Sequence, residues 1–133
     1  MADTGTVSTE WSRPGTSNRV GFIEFNWTSS ATQTAQLTFN QYVSGTVGRL
    51  ATDPGSPAPT ADYDIYIYDE DGWDILNGAG VDRHTSTSEQ VYPVATGTVA
   101  TTGLVQIDFA GLLRFVVQAA GTAKLGKARL YYH

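Results

Sequence analysis

The sequence predicts an all-β fold, an antiparallel β-sandwich or jelly-roll-like domain of about eight to ten short strands. Thr, Ser, Gly, Ala and Val dominate the composition and only 16% of the residues are charged, which favours strands over helices. Short apolar runs alternate with polar positions, and Gly or Pro residues separate them. No stretch has the 3.6-residue apolar period of a helix. At 133 residues the chain has the length of one domain.

The first sixty residues predict an arm followed by strands. Residues 1–17 are mostly polar, with Val7 and Trp11 as exceptions, so we expect an N-terminal arm or an edge strand. A single β-sandwich domain is expected at 18–133. Trp11 is then either an anchor into a neighbouring molecule or a cap on the protein's own core. Strands are predicted at residues 18–28, 32–43 and 46–52. The loop at 53–60 contains three prolines and cannot pair in a ladder.

The stretch ADYDIYIYDEDGWDILNGAG, at 61–80, carries the clearest β pattern. Apolar and polar side chains alternate over 63–68, which predicts a strand with one covered and one wetter face. The Asp-Gly dipeptide at 71–72 predicts a tight turn, because Gly tolerates positive φ. The strand is expected to restart at 73–76.

The last third of the chain predicts a long loop and four strands. The polar run at 77–93 is long for a connection in a compact domain, and such connections often carry contacts. Ser86 and Glu89 have the spacing of a capping box, which permits one helical turn. Strands are predicted at residues 98–101, 104–109, 112–118 and 125–132. We expect the last two to form a terminal hairpin around the turn at 120–123.

The charges are unevenly placed along the chain. The net charge of −5 argues against nonspecific binding to nucleic acid. Residues 53–89 carry nine acids and one base, Arg83, whereas residues 114–133 carry four bases and no acid. These regions are either ordinary solvated faces or the two ends of a molecule that docks by charge complementarity.

Several classes of protein are disfavoured by what the sequence lacks. There is no cysteine, which excludes disulfides, thiolate metal sites and cysteine catalysis, and fits folding in a reducing cytoplasm. The first residues do not have the pattern of a signal peptide, and no window approaches the length of a membrane span. We therefore expect no membrane partner.

We expect no catalytic residue, because the candidate groups lack the context that catalysis needs. His84 has Asp82 and two serines close in sequence, but the chain has no nucleophile elbow. Asp64 and Asp74 could form the carboxylate pair of a glycosidase, yet alternation places such acids on the wet face of any β protein.

Metal binding and sugar binding are two further functions that the residues suggest. The acids in the 69–74 turn resemble a calcium loop only in part, so we expect their carboxylates to be solvated. We predict no metal and no cofactor. Three tryptophans and seven tyrosines could supply a stacking platform for a sugar. Tyr66 and Tyr68, about 7 Å apart on one strand face, are the candidate pair.

Two segments, at residues 63–93 and 112–132, carry a resemblance to a known family. The strand pair YDIYIYDEDGWDIL, the glycine step NGAG and the loop DRHTSTSEQVYP are followed by the closing segment LLRFVVQAAGTAKLGKARLYY. This layout resembles small structural proteins of tailed-bacteriophage heads, namely capsid decoration (cement) proteins of jelly-roll-like fold. It covers about the last seventy residues.

The resemblance implies a non-enzymatic virion structural protein. Such a protein binds the major capsid protein on the exterior of the phage head as a homotrimer, ties neighbouring capsid subunits together, and is made in the host cytoplasm. It implies no cofactor, no nucleic-acid partner and no small-molecule ligand. The alternatives are a head–tail connector or tail structural protein, and a carbohydrate-binding β-sandwich module. The predicted partner contacts are Trp11, Arg13, Pro57, Pro59, Arg83 and His84.

Overall fold

A computed structural model describes residues 5–17, 19–96 and 104–133. These residues form eleven strands and no helix, and every strand pairing is antiparallel. The strands are β1 (Thr6–Ser12), β2 (Gly21–Thr28), β3 (Ala35–Thr38), β4 (Val43–Pro54), β5 (Asp64–Tyr68), β6 (Glu89–Val91), β7 (Ala95–Thr96), β8 (Leu104–Val105), β9 (Asp108–Gly111), β10 (Arg114–Gln118) and β11 (Leu125–Tyr132). The all-β class predicted from the sequence is confirmed.

The strands assemble into two main sheets that pack as a sandwich. The larger sheet has the order β1-β2-β11-β4-β6, and β9 pairs with the first part of β4. The smaller sheet has the order β3-β10-β5, and β7 and β8 form a separate two-stranded ribbon. β1 is thus an edge strand, paired with β2 along its whole length.

One core fills the space between the two sheets. β2 contributes Ile23, Phe25 and Trp27 from the larger sheet, all of them buried. The ring of Phe25 stacks on Phe115 of β10 in the smaller sheet, with centroids 4.3 Å apart and planes at 3°. Burying side chains of this size stabilises the fold by roughly 2 kcal/mol each, so these inner faces hold the two sheets together.

The predicted terminal hairpin is wrong. β10 pairs with β3 and β5 in the smaller sheet, whereas β11 pairs with β2 and β4 in the larger one. The turn between them carries the chain across the core, with Ala119 and Ala123 at φ values of 57° and 54°. Both strands have a buried inner face, and facing each other across the core buries both.

The strand expected to restart at 73–76 does not form. Asp74 explains this, because its Oδ1 accepts hydrogen bonds from the amides of Ile67 and Leu76, and its Oδ2 accepts one from Gly78. Pairing with β5 is limited to an isolated bridge between Tyr68 and Asp74, flanked by a backbone bond from Ile75 to Ile67. The backbone then turns repeatedly over residues 75–80.

Other strand boundaries also differ from the prediction. The strand predicted at 104–109 is divided into β8 and β9. The expected strand at 32–43 is reduced to β3, because Gln33 adopts a φ of 67° and the hydroxyls of Ser30 and Thr32 bond each other at 2.6 Å in a turn. The short strand predicted at 46–52 is part of the twelve-residue β4. The strand predicted at 98–101 lies outside the described residues.

Candidate functional site

Trp11 stands where the end of β1 meets the core. Its indole N–H donates a 2.7 Å hydrogen bond to the Tyr132 hydroxyl, and its ring meets Phe39 edge to face at 5.2 Å. The side chain is half-buried and packs against the buried core residues. Of the two roles considered for Trp11, capping the protein's own core is the one that the structure describes.

A cleft opens beside Trp11 and has a volume of about 310 Å³. We name it the Trp11 cleft; its lining residues are Trp11, Arg13, Pro14, Tyr42, Val43, Ser44 and Tyr132. The Arg13 guanidinium stacks over the Trp11 ring at 4.3 Å from the centroid, and Tyr42 is 66% exposed. The lining contains no acid, and within the described part of the chain Arg13 forms no ion pair.

A row of stacked aromatic and arginine side chains crosses the outer face of the larger sheet. Arg129 of β11 lies over the ring of Phe22 on β2, with 4.1 Å to the centroid. Arg49 of β4 lies over the ring of Tyr131 at 4.0 Å. Cation–π contacts of this kind contribute about 0.5–1 kcal/mol each at exposed sites and fix the orientation of the guanidinium groups.

The Glu24 side chain is buried beneath this row and binds Arg129. The carboxylate Oε1 accepts hydrogen bonds from Arg129 at 2.6 and 3.2 Å and lies 3.8 Å from the Lys127 ammonium. Burial alone raises the pKa of the Glu24 carboxyl. The hydrogen bonds from Arg129 and Asn26 and the nearby positive charges outweigh burial, so the pKa lies below its usual range. Glu24 is therefore ionised and holds the row in place.

The end of this row borders a second cleft, of about 350 Å³. We name it the Arg49 cleft; its lining residues are Val20, Gly48, Arg49, Tyr92, Gln106, Tyr131 and His133. Val20 is 48% exposed and Tyr92 is 66% exposed, so the cleft has apolar walls open to solvent. Arg49 donates one hydrogen bond, to Gln90 Oε1 at 2.7 Å, and has no carboxylate partner among the described residues.

The acidic stretch of the sequence belongs to the smaller sheet. Seven acids and no base occur between residues 62 and 82, in β5 and in the turns around it. Asp69 Oδ1 accepts hydrogen bonds from the amides of Asp71 and Trp73, and Trp73 itself is 74% exposed. The acidic turn and the outer face of the larger sheet are therefore on opposite layers of the sandwich.

The candidate sugar platform does not have the geometry that stacking requires. Tyr66 and Tyr68 share one face of β5, as predicted, but their rings stack on each other with centroids 5.7 Å apart and planes at 14°. Arg114 lies over the Tyr68 ring at 4.7 Å. Because the two rings stack on each other and Arg114 lies over Tyr68, the pair does not present two rings side by side to a sugar.

The other predicted contact residues are spread around the molecule. Pro57 is exposed, whereas Pro59 is buried, contrary to the exposed position that its loop suggested. The Arg83 side chain is mostly covered, donates two hydrogen bonds to the Val81 carbonyl and lies 3.6 Å from a Glu89 carboxylate oxygen. Trp11 and Arg13 are thus the predicted residues that the fold brings into one cleft. Their contact with a partner stays a prediction.

The loop around His84 is held by the imidazole itself. His84 is exposed, and its Nδ1 accepts hydrogen bonds from the amides of Ser86 and Thr87 at 3.1 and 3.0 Å. These bonds replace the capping box, and no helical turn forms. In a Ser-His-Asp triad, Nδ1 carries a proton that it donates to the carboxylate and Nε2 is the base. Because Nδ1 of His84 accepts hydrogen bonds instead, the imidazole does not have the tautomer that a triad needs.

Metal sites, membrane spans and similar proteins add no clue to the function. Within residues 5–17, 19–96 and 104–133, no three His, Asp or Glu side chains are grouped to hold a metal ion. The same residues contain no helix long and apolar enough to cross a membrane. Comparison with protein-family models, curated proteins and solved structures gave no match. The clefts are therefore the observations from which a function can be inferred.

Proposed function

We propose that this protein is a non-enzymatic structural protein of a tailed-phage virion, a capsid decoration protein. In this role it binds the major capsid protein on the outer surface of the head and stabilises contacts between capsid subunits. The observation that carries the proposal is the Trp11 cleft. Trp, Tyr and Arg are enriched among the residues that dominate binding energy at protein interfaces, and Trp11, Arg13 and Tyr42 line this cleft together.

The Trp11 cleft is preorganised for a partner. β1 pairs with β2 from Thr6 to Ser12, which holds the strand that carries Trp11. The bond from Trp11 to Tyr132 fixes the Trp11 ring, and the stack on this ring orients the Arg13 guanidinium before any partner arrives. Less conformational entropy is then lost on docking, which supports tight binding by a small surface.

The chemistry of the cleft also selects a partner surface. Arg13 is a cation without a carboxylate partner in the described part of the chain, so an acidic side chain flanked by apolar ones would complement it. A homotrimer would present three such clefts to a head at once. Simultaneous contacts raise the overall affinity well above that of one site.

The test is binding to heads assembled from the major capsid protein of the same genome. Co-sedimentation would compare the wild-type chain with Arg13→Glu and with Arg114→Glu. Both arginines are exposed and stack on an aromatic ring, but Arg114 lies on the smaller sheet, away from the cleft. We expect Arg13→Glu to weaken binding about tenfold or more and Arg114→Glu to leave it unchanged.

Two results would overturn the proposal. One is a wild-type chain that does not sediment with these heads. The other is an Arg13→Glu variant that binds them as well as the wild type does. The number of copies bound per head separates a decoration protein from a head–tail connector, because a connector occupies a single vertex as one ring.

A carbohydrate-binding module is the second candidate, and the exposure of Trp73 is the observation that favours it. A lone exposed indole can stack on a sugar ring, although the neighbouring Tyr66–Tyr68 pair does not offer its faces. Binding on a glycan array that disappears with Trp73→Ala, while the fold stays intact, would support this candidate over the first.

A further inference from the structure

Trp73 is presented to solvent on a rigid turn. Among the described large apolar side chains it is the most exposed, at 74%. The Asp69 backbone N–H donates a 2.9 Å hydrogen bond to the Trp73 carbonyl, and the Trp73 backbone N–H donates a 3.0 Å hydrogen bond to Asp69 Oδ1. Gly72, at a φ of 86°, supplies the left-handed residue that the turn needs. An indole held in this way loses little entropy on docking.

The same turn carries one acid that the fold leaves available. The carboxylates of Asp69 and Asp74 accept backbone amides, and Glu70 Oε1 accepts the Leu112 amide at 3.0 Å. Asp71 is exposed, and in the described part of the chain no hydrogen bond or ion pair involves its carboxylate. The Trp73 turn, residues 69–74, therefore offers an indole and a carboxylate two residues apart.

The Arg49 cleft has the complementary chemistry. Arg49 is held over Tyr131 and gives one hydrogen bond to Gln90, and no acidic side chain lines the cleft. Val20 and Tyr92 provide exposed apolar walls beside it. The cleft thus suits an apolar side chain with a carboxylate close by.

We propose that the Trp73 turn of one copy docks into the Arg49 cleft of a second copy of this chain. Trp73 lies between Val20 and Tyr92 of the next copy, and Asp71 pairs with its Arg49. The occupant is a second copy because one chain carries both halves of the match. At a net charge of −5, two copies repel each other unless an acidic surface meets a basic one.

The two halves cannot meet within one molecule. The Trp73 turn follows β5 in the smaller sheet, and Glu70 bonds Leu112 next to the pairing of Gly111 with Val43. Arg49 is six residues further along β4, roughly 20 Å away at the rise of a strand, and faces outward from the larger sheet. The contact is therefore heterologous, and heterologous contacts close into rings when the rotation allows.

The Trp11 cleft is a poorer acceptor for the same turn. Val43 lines this cleft and pairs with Gly111 at the end of β9. Glu70, which belongs to the Trp73 turn, accepts a hydrogen bond from the next residue, Leu112, so the turn of the same molecule lies close to the cleft. Docking there would bring the acidic turns of two copies close together. The Arg49 cleft avoids this repulsion and leaves the Trp11 cleft free.

Solution mass tests the contact. Light scattering with multi-angle detection would compare the wild type with Trp73→Ala and Arg49→Glu, each expected to keep the fold because both side chains lie at the surface. We expect a mass of at least twice the 14.3 kDa chain mass for the wild type and one chain mass for each variant. Circular dichroism checks that the variants are folded.

Mixing the two variants gives a sharper result. Trp73→Ala retains an intact cleft and Arg49→Glu retains an intact turn, so a 1:1 mixture can form one intact contact per pair and no more. We expect a species of twice the 14.3 kDa chain mass in the mixture, with nothing larger. Raising the salt concentration should dissociate it, because the contact includes an ion pair near the surface.

Tyr42→Ala is the matched control, since Tyr42 and Tyr92 are both 66% exposed but line different clefts. Tyr42→Ala should keep the wild-type mass and Tyr92→Ala should lower it. Three results would overturn the proposal: a wild type at one chain mass at about 100 µM, a Trp73→Ala variant at the wild-type mass, or a mixture that stays at one chain mass.

The self-association does not rest on the proposed function. Head binding is measured with Arg13→Glu, whose mass should stay that of the wild type, and self-association is measured without heads. Failure of one therefore leaves the other standing. If both hold, Trp73→Ala should also weaken head binding, because a single chain lacks the multiple contacts of a ring.

Discussion

At the scale of the residue, the Glu24 carboxylate makes the stability of the fold depend on pH in the acid range. Its side chain is 6% exposed, and its pKa is lowered because hydrogen bonds and positive charges overcome the effect of burial. A carboxyl with a lowered folded-state pKa contributes stability above its unfolded pKa, and that contribution is lost as pH falls through the folded value. Glu24 therefore stabilises the sandwich at neutral pH and stops doing so in acid.

Glu24→Gln should lower the free energy of unfolding at pH 7 by about 2 kcal/mol, because hydrogen bonds to a charged group are lost. The variant should also lose less stability than the wild type between neutral pH and the acid range. Urea denaturation over that pH range measures both effects. Asp62→Asn is the control, since Asp62 is exposed and, among the described residues, its carboxylate takes part in no ion pair. A Glu24→Gln variant with the wild-type pH dependence would contradict this account.

At the scale of the element, β11 shows why the central strand tolerates little change. Gly126 lies on the inner face of β11, and a Cβ there would stand 2.2 Å from the buried Trp27 ring. Ring and backbone cannot both stay in place. Gly126→Ala should therefore lower the free energy of unfolding by about 1–3 kcal/mol, the usual range for overpacking a core.

Thermal denaturation followed by circular dichroism measures that change. Gly15→Ala is the matched control, because a Cβ at Gly15 meets nothing within 4 Å. The control should unfold at or slightly above the wild-type temperature. Equal stability of Gly126→Ala and Gly15→Ala would show that the Trp27 ring has another position available.

The sequence predicts where strands lie better than it predicts which strands pair with each other. The alternation in β2, β5 and β11 is local, and each of these strands formed where it was expected. The terminal hairpin was wrong because an apolar face buries itself equally well beside a strand or opposite one, and alternation cannot separate the two. The strand at 73–76 was wrong because nothing in the pattern shows that the Asp74 carboxylate will bind three backbone amides.

The candidate sites were harder to predict than the strands. Trp11 and Arg13 were singled out and do share a cleft, but Tyr42, Arg49 and Tyr92 were missed. Their exposure depends on which strands neighbour them, and no local signal reports that. Position in a loop likewise did not show that Pro59 would be buried.

At the scale of the whole molecule, the sandwich depends on its two termini to different degrees. β11 pairs with β2 on one side and β4 on the other, so it joins the two halves of the larger sheet. β1 pairs with β2 alone, at the edge. Removing β11 would expose two unpaired strand edges and take Leu130 and Tyr132 from the core, whereas removing β1 moves the edge inward by one strand.

A chain ending at Lys124 should therefore fail to unfold cooperatively, because the lost burial and pairing exceed the 5–15 kcal/mol that stabilise a typical domain. A chain beginning at Arg13, which loses more residues, should still fold, with a lower melting temperature because Trp11 no longer covers Phe39. Thermal denaturation and the dispersion of amide NMR signals measure both. Cooperative unfolding of the chain that ends at Lys124, or none in the chain that begins at Arg13, would contradict the described strand order and move the centre of the sheet elsewhere.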